Sequence, residues 1–291
     1  MDDMTRQAII IDCDPGQDDA VNLLLALASP DELEVLGITT VAGNVPLDLC
    51  QRNARLMCDI AGRQDMPVFA GCARPMVRQL ITAEYVHGKT GIDGAEAPEP
   101  TTSPADGHAV DFIIETARTT PGLVMCTLGP LTNLGTALQQ APDIAGNIEQ
   151  VVLMGGGFFE GGNTTPAAEF NIYDDPHAAD IVFRSGIDLV MMPLDVTHQA
   201  LTSDARVDAF KALGNASGAA TAGMLEFFER YDMERYGTAG APLHDPTVIA
   251  YLLEPDIFSG RTCSVAIETT SELTMGMTVV DWWGLTDEEP N

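Results

Sequence analysis

Residues 9–20, Ile9-Ile10-Ile11-Asp12-Cys13-Asp14-Pro15-Gly16-Gln17-Asp18-Asp19-Ala20, constrain the fold more than any other stretch of this chain. The β-branched run reads as the end of a buried strand, and Pro15-Gly16 forces a turn. The apolar residues from Ala20 to Leu27 then read as a helix. Asp18 and Asp19 sit at its N-terminus, where exposed N–H groups and the macrodipole favour negative charge. Four carboxylates thus fall within eight positions, with no Lys or Arg among them. Buried together without a counter-charge, they would repel one another. The segment is therefore either an acidic turn in solvent or the holder of a cation. An all-carboxylate donor set favours a hard ion such as Ca²⁺ or Mg²⁺ over Zn²⁺. Open α/β sheets place their ligands where acids gather in this way, at the carboxyl end of a strand.

The rest of the chain repeats the rhythm of strand, loop and helix. Strands are predicted over 7–12, 33–40, 68–70, 123–128, 148–154 and 188–192, and helices over 18–28, 46–61, 109–118, 131–139 and 176–185. Residues 206–236 read as mostly helical, and 275–283 as a late strand whose adjacent Trp282 and Trp283 read as structural. The alternation predicts an α/β fold, a mostly parallel central sheet flanked by helices. Two long stretches rich in Gly, Pro and Asp, 71–107 and 155–175, interrupt it. Loops of that length in a compact domain are usually functional or mobile.

At 291 residues, with 45% hydrophobic and 20% charged residues, the chain can build a substantial core. It reads as a single domain over 1–291, without an internal repeat or a linker. No apolar run reaches about 18 residues, and the N-terminus lacks a signal-peptide pattern. The six cysteines, at 13, 50, 58, 72, 126 and 263, form no Cys-x-x-Cys pair. They read as the reduced thiols of a cytoplasmic protein. A net charge of −29 argues against nucleic acid and anionic membrane as partners.

Two further clusters carry chemistry. Asn163, Glu169 and Asn171 lie in the segment Gly162-Asn163-Thr164-Thr165-Pro166-Ala167-Ala168-Glu169-Phe170-Asn171. They offer the amides and carboxylate that a vicinal diol needs, since each hydroxyl both donates and accepts. His244-Asp245-Pro246 places a His beside an Asp just before another helix. Gly155-Gly156-Gly157 lacks the spacing of a dinucleotide fingerprint, and no phosphate-binding G-x-x-x-x-G-K-[ST] loop occurs.

Together these features resemble the inosine–uridine-preferring nucleoside hydrolase family. The resemblance runs in order through Asp12–Ala20, Gly43-Asn44, Gly129-Pro130-Leu131-Thr132-Asn133, Met154-Gly155-Gly156-Gly157, Glu169-Phe170-Asn171 and His244-Asp245-Pro246, spanning about residues 7–285. It implies a Ca²⁺-dependent hydrolysis of the N-glycosidic bond of ribonucleosides to free base and ribose. It implies Ca²⁺ ligation by Asp14, Asp19, the backbone carbonyl of Thr127 and Asp245, with Asp14 also the general base. Asp18, Asn163, Glu169 and Asn171 would grip the ribose, with Asn44, Met154 and Phe170 beside them.

Leaving-group activation stays open among His244, His87 and Tyr236. The segment around His87 is similar to that of pyrimidine-preferring members, which leans the expectation toward uridine and cytidine. Tyr231 and Tyr236 lie where relatives place Tyr or Gln against the base, but position 232 is Asp. Relatives continue past the segment matching Trp282-Trp283-Gly284 into a strand and helix that have no counterpart here by this reading. The resemblance further implies a homodimer or homotetramer, and a role in nucleoside salvage.

Three alternatives remain from the sequence: a purine-preferring or nonspecific hydrolase, a nucleoside-binding relative without turnover, and a phosphatase of the haloacid-dehalogenase type. The last also opens on a strand ending in Asp-x-Asp, but has Thr where this chain has Gly16.

Overall fold

The computed structural model describes residues 6–236 and 240–291, without the side chains of 229–236. The strands are β1 (Gln7–Cys13), β2 (Leu33–Thr40), β3 (Val68–Ala70), β4 (Leu123–Thr127), β5 (Ile148–Met154) and β6 (Asp188–Met192). They form one six-stranded sheet in the order β3-β2-β1-β4-β5-β6, parallel throughout. The first five helices are α1 (Gln17–Leu27), α2 (Leu47–Ile60), α3 (Glu84–His87), α4 (Ala109–Thr119) and α5 (Thr132–Gln140). They are followed by α6 (Phe170–Asp174), α7 (Pro176–Phe183), α8 (Leu194–Thr197), α9 (Asp204–Ala212), α10 (Ala216–Tyr236) and α11 (Pro246–Leu253). A separate antiparallel pair joins β7 (Val265–Ile267) to β8 (Thr278–Val280).

Both faces of the sheet are covered, which explains why β1 is apolar on both sides. Ile9, Ile11 and Cys13 point into one core with Leu23 of α1, Met57 of α2 and Ile249 of α11. Ile10 points into the other, with Ile113 of α4, Leu134 of α5 and Ala178 of α7. From β1 the chain builds β2 and β3 on one side, then returns to add β4, β5 and β6 on the other. The order therefore reverses between β1 and β4, where Asp12 pairs with Thr127. Such a switch point opens a crevice beyond the carboxyl ends of the strands.

The predicted strands and helices match the observed ones closely, with three differences. The helical region 206–236 breaks at Gly214, which takes φ 65°, and Asn215 restarts it by accepting the Gly218 N–H at 2.8 Å. The late strand shrinks to Thr278–Val280 and lies outside the main sheet. Gly276 turns the chain before it with φ 76°, and the Asp281 carboxylate gathers the N–H groups of Leu285 and Thr286 after it. Trp282 packs among Phe158 and Phe159, whereas Trp283 is 68% exposed and carries no packing role on this chain. The two long interruptions contain α3 and α6, which sequence periodicity is too short to register. All six cysteines are free thiols, as expected.

Candidate active site

The crevice is walled on one side by carboxylates. Asp14 follows β1 and is fully buried. Its Oδ2 accepts the Asn44 N–H at 2.7 Å, while its Oδ1 has no hydrogen-bond partner. Glycines clear the space around it: a Cβ on Gly43 would stand 2.1 Å from Oδ2, and one on Gly129 would stand 2.2 Å from Oδ1. Asp19 begins α1, and its carboxylate accepts the N–H groups of Asp14 (3.2 Å) and Gly16 (2.9 Å) and the Asn44 amide at 3.3 Å. Asp245 reaches the same place from the start of α11. The carboxylate oxygens of Asp18, Asp19 and Asp245 lie within 4.8 Å of one another. Thr127 ends β4, buried and paired with Asp12 two residues before Asp14.

No ordinary protein environment tolerates this much charge. Burial and mutual repulsion push Asp14 and Asp245 far above the usual carboxylate range, and burial pushes Asp19 up as well. Among the described residues no Lys or Arg faces the group, so protons or a cation must neutralise it. An unpartnered, fully buried Asp14 oxygen beside three converging carboxylates fits a hard divalent cation. The structure also draws Asp18 into this trio, where the family resemblance had implied only a ribose contact. Asp14 lies against the trio through Asp19.

The start of α6 and the loop before it bring amide and carboxylate groups to the same cleft. Glu169 caps this helix, its two oxygens accepting the N–H groups of Asn171 (3.0 Å) and Gly156 (2.9 Å). Burial raises its pKa from 4.5 to about 7. Asn171 spends its amide hydrogens on the carbonyls of Leu128 (2.7 Å) and Met154 (3.1 Å), which leaves its side-chain oxygen as the group a ligand can use. Asn163 accepts the Phe170 N–H at 2.9 Å, folding the Gly-rich loop back onto the helix. Asp18, Asn44, Met154, Asn163, Glu169, Phe170, Asn171 and Asp245 all line one cleft.

The rest of that cleft is different in kind. It is lined by Tyr85, Val86, His87, His198, Phe228, Pro242 and His244. His87 Nδ1 lies 2.7 Å from Gln17 Oε1, and its ring stacks on Phe228 with centroids 5.6 Å apart. His244 Nδ1 lies 2.7 Å from the Thr197 hydroxyl, and its ring is 5.9 Å from that of His198. Burial lowers both His87 and His244 to about 3, so both are neutral near pH 7. The side chains of Tyr231 and Tyr236 lie outside the described residues.

Sequence reasoning did not find Gln17, His198 or Phe228. His198 had a usable signal, since it follows β6 at the sheet edge that carries Asp14 and Met154. Phe228 had none, being one apolar residue among many on α10. The cleft's position at the switch point, its acids and its diol-binding groups point to a sugar. The comparison with known families decides which chemistry surrounds it: residues 9–291 match the model of the inosine-uridine preferring nucleoside hydrolases.

The chain belongs to that family. A nucleoside hydrolase is an N-glycosyl hydrolase, so the protein is an enzyme of that class acting on ribonucleosides. An uncharacterised protein of Schizosaccharomyces pombe is 56% identical over 94% of this chain and 89% of its own length. The pyrimidine-specific ribonucleoside hydrolase RihA of Salmonella schwarzengrund is 48% identical, over 97% of this chain and 91% of its own. Among solved structures, the purine-preferring ribonucleoside hydrolase from Gardnerella vaginalis superposes with a TM-score of 0.91 at 33% identity, covering 97% of this chain and 91% of its own. The nucleoside hydrolase fold thus spans the chain, and it carries no helix among the described residues long and apolar enough to cross a membrane.

Proposed function

We propose that this nucleoside hydrolase cleaves pyrimidine ribonucleosides, uridine and cytidine, in a Ca²⁺-dependent reaction with Asp14 as general base. The observation that carries the reaction is the buried set Asp14, Asp18, Asp19 and Asp245 beside a cleft that Asp18 and Asp245 line together with Asn163, Glu169 and Asn171. The base preference draws on the 48% identity to a relative named pyrimidine-specific, against 33% to one named purine-preferring.

In this reading Asp14, Asp19, Asp245 and the Thr127 carbonyl would hold the ion, and Asp18, which converges with Asp19 and Asp245, would serve the ion or the ribose. Calcium, when bound, neutralises the acids, orients the attacking water and makes it easier to deprotonate. Asp14 Oδ1 takes the water's proton; its second oxygen is already fixed on the Asn44 N–H. Help of this kind contributes roughly 10²–10⁴-fold. Asn163, Glu169 and Asn171 grip the ribose hydroxyls and hold the ring as the C1′–N bond lengthens. The surrounding carboxylates stabilise the positive charge that grows on the sugar, as in other glycoside cleavage. His244, neutral near pH 7, stands beside the leaving base with a ring N–H that can hydrogen-bond the departing nitrogen rather than transfer a proton to it. A cytoplasmic homodimer or homotetramer serving nucleoside salvage is the proposed setting.

Release of reducing sugar from uridine, cytidine and inosine tests this reading, with chelator and with Ca²⁺ or Mg²⁺ restored. Chelator-sensitive release that Ca²⁺ restores best, ranked uridine and cytidine above inosine, is expected. Release that survives chelation, or inosine as the best substrate, would refute the corresponding part.

A further inference from the structure

Gln17 lies between the Pro-Gly turn and the acidic pair, and no reading of the sequence gave it a task. It is fully buried. Its amide nitrogen donates to two backbone carbonyls, His87 O at 2.9 Å and Asp93 O at 3.2 Å. A reversed amide would press its oxygen against two acceptors, so the polarity of this side chain is fixed. Its Oε1 therefore faces His87 Nδ1 at 2.7 Å as an acceptor. Nδ1 must carry the ring proton. In the neutral ring, Nε2 is then a lone-pair acceptor and has no proton to give.

Two more contacts hold the ring in that pose. It lies over the turn, so that a Cβ on Gly16 would stand 2.4 Å from Nδ1. Its other side stacks on Phe228. The backbone behind it is pinned as the Asp93 carboxylate accepts the N–H groups of Lys89 (3.2 Å) and Thr90 (3.1 Å). His244 contrasts with this. Its Nδ1 meets the Thr197 hydroxyl, which can donate or accept, so its tautomer is not dictated in the same way.

We propose that Gln17 is a positioning residue that locks His87 in the Nδ1–H tautomer, making His87 Nε2 an acceptor that reads a hydrogen-bond donor on the bound base. Uracil offers its ring N3–H, and cytosine its neighbouring 4-amino group. The inference deepens the pyrimidine reading above and rests on it for the identity of the donor. It also moves His87 from candidate proton donor to selector and leaves His244 as the remaining histidine beside the leaving base.

The first test needs no turnover. Nitrogen-15 spectra of the histidine rings in the free wild-type protein should show His87 protonated at Nδ1 and bare at Nε2; the opposite tautomer would overturn the proposal. The second test compares uridine with 3-methyluridine, which lacks the N3–H. The wild type should lose about tenfold or more in kcat/KM on methylation, the cost of a missing hydrogen-bond donor against a buried acceptor. In Gln17→Met the lock is gone. The His87 spectrum should lose its Nδ1–H signature, KM for uridine should rise more than kcat falls, and the methylation penalty should shrink to about threefold or less. A penalty of the same size in both proteins, or none in the wild type, would overturn the acceptor role. Should inosine prove the better substrate while the spectrum shows the Nδ1–H tautomer, the pyrimidine reading fails and the lock stands.

Discussion

The two ends of the cleft are built by opposite means. The acidic end is made of strand termini and helix starts: Asp14 after β1, Asp18 and Asp19 opening α1, Thr127 ending β4 and Asp245 before α11. Asp14 and Asp19 are held there by backbone N–H groups, which cannot rotate away. The other end, proposed to take the base, draws on α3, the residues after β6 and Phe228 of α10, and the ring nitrogens of its histidines are met by side chains, His87 by Gln17, His244 by Thr197 and His198 by Glu160. On the proposed roles, substitutions in the first arrangement should cost chemistry. The second can be retuned one residue at a time. That division explains how family members share the reaction while relatives are named for different bases.

The sharpest way to break this comparison is to neutralise Asp14. Asp14→Asn should lower kcat by at least about 10² on every nucleoside, because the general base is gone. Removing a buried, repelled charge should at the same time leave the metal-free protein at least as heat-stable as the wild type. Near-normal turnover, or a large fall in melting temperature, would contradict the role. Gly129→Ala probes the same end without changing the identity of any reacting group. The new methyl would stand 2.2 Å from Asp14 Oδ1, and displacing that oxygen should cost roughly ten- to a hundredfold in kcat. Unchanged kcat would show that Asp14 Oδ1 is not held where the chemistry needs it.

A smaller effect is expected in the pH dependence of stability without metal. Burial raises Asp12 from 3.8 to about 6, Glu169 from 4.5 to about 7 and Asp174 from 3.8 to about 7. The folded state therefore binds protons more tightly than the unfolded chain. This stabilisation is fully present below the unfolded values and is lost as pH rises through the folded ones. The chelated protein's melting temperature should fall by at least about 5 °C between pH 4.5 and pH 7.5. A rise over that interval would mean the carboxylates have partners that this structure does not show.

The same contrast governs how much was legible beforehand. Asp12–Ala20 could be read as strand, turn and helix because strand and helix periodicities meet there around a Pro-Gly pair, and long parallel strands announce themselves by their apolar runs. The acids and the Asn-Glu-Asn segment could be read because their chemistry is local. The base end could not. Gln17 acts on His87 across 70 positions, and Phe228 and His198 are ordinary residues until the fold brings them to one wall. The sequence resemblance located His87 and His244, yet not which nitrogen of either carries a proton. That depends on hydrogen-bond partners that only tertiary structure supplies. The short helices α3 and α6 were missed for a related reason. Each is about one turn long and is stabilised by what it docks against.

The most direct test of the division is the ratio of kcat/KM for uridine to that for inosine, measured in the wild type, in Glu169→Gln and in His87→Ala. Glu169→Gln should lower both values by roughly ten- to a hundredfold, because a charged acceptor at the ribose is lost, and should leave the ratio within about twofold of wild type. His87→Ala should move the ratio by about tenfold or more toward inosine. A ratio that shifts with Glu169 and holds with His87 would contradict the assignment of chemistry to one end of the cleft and selection to the other.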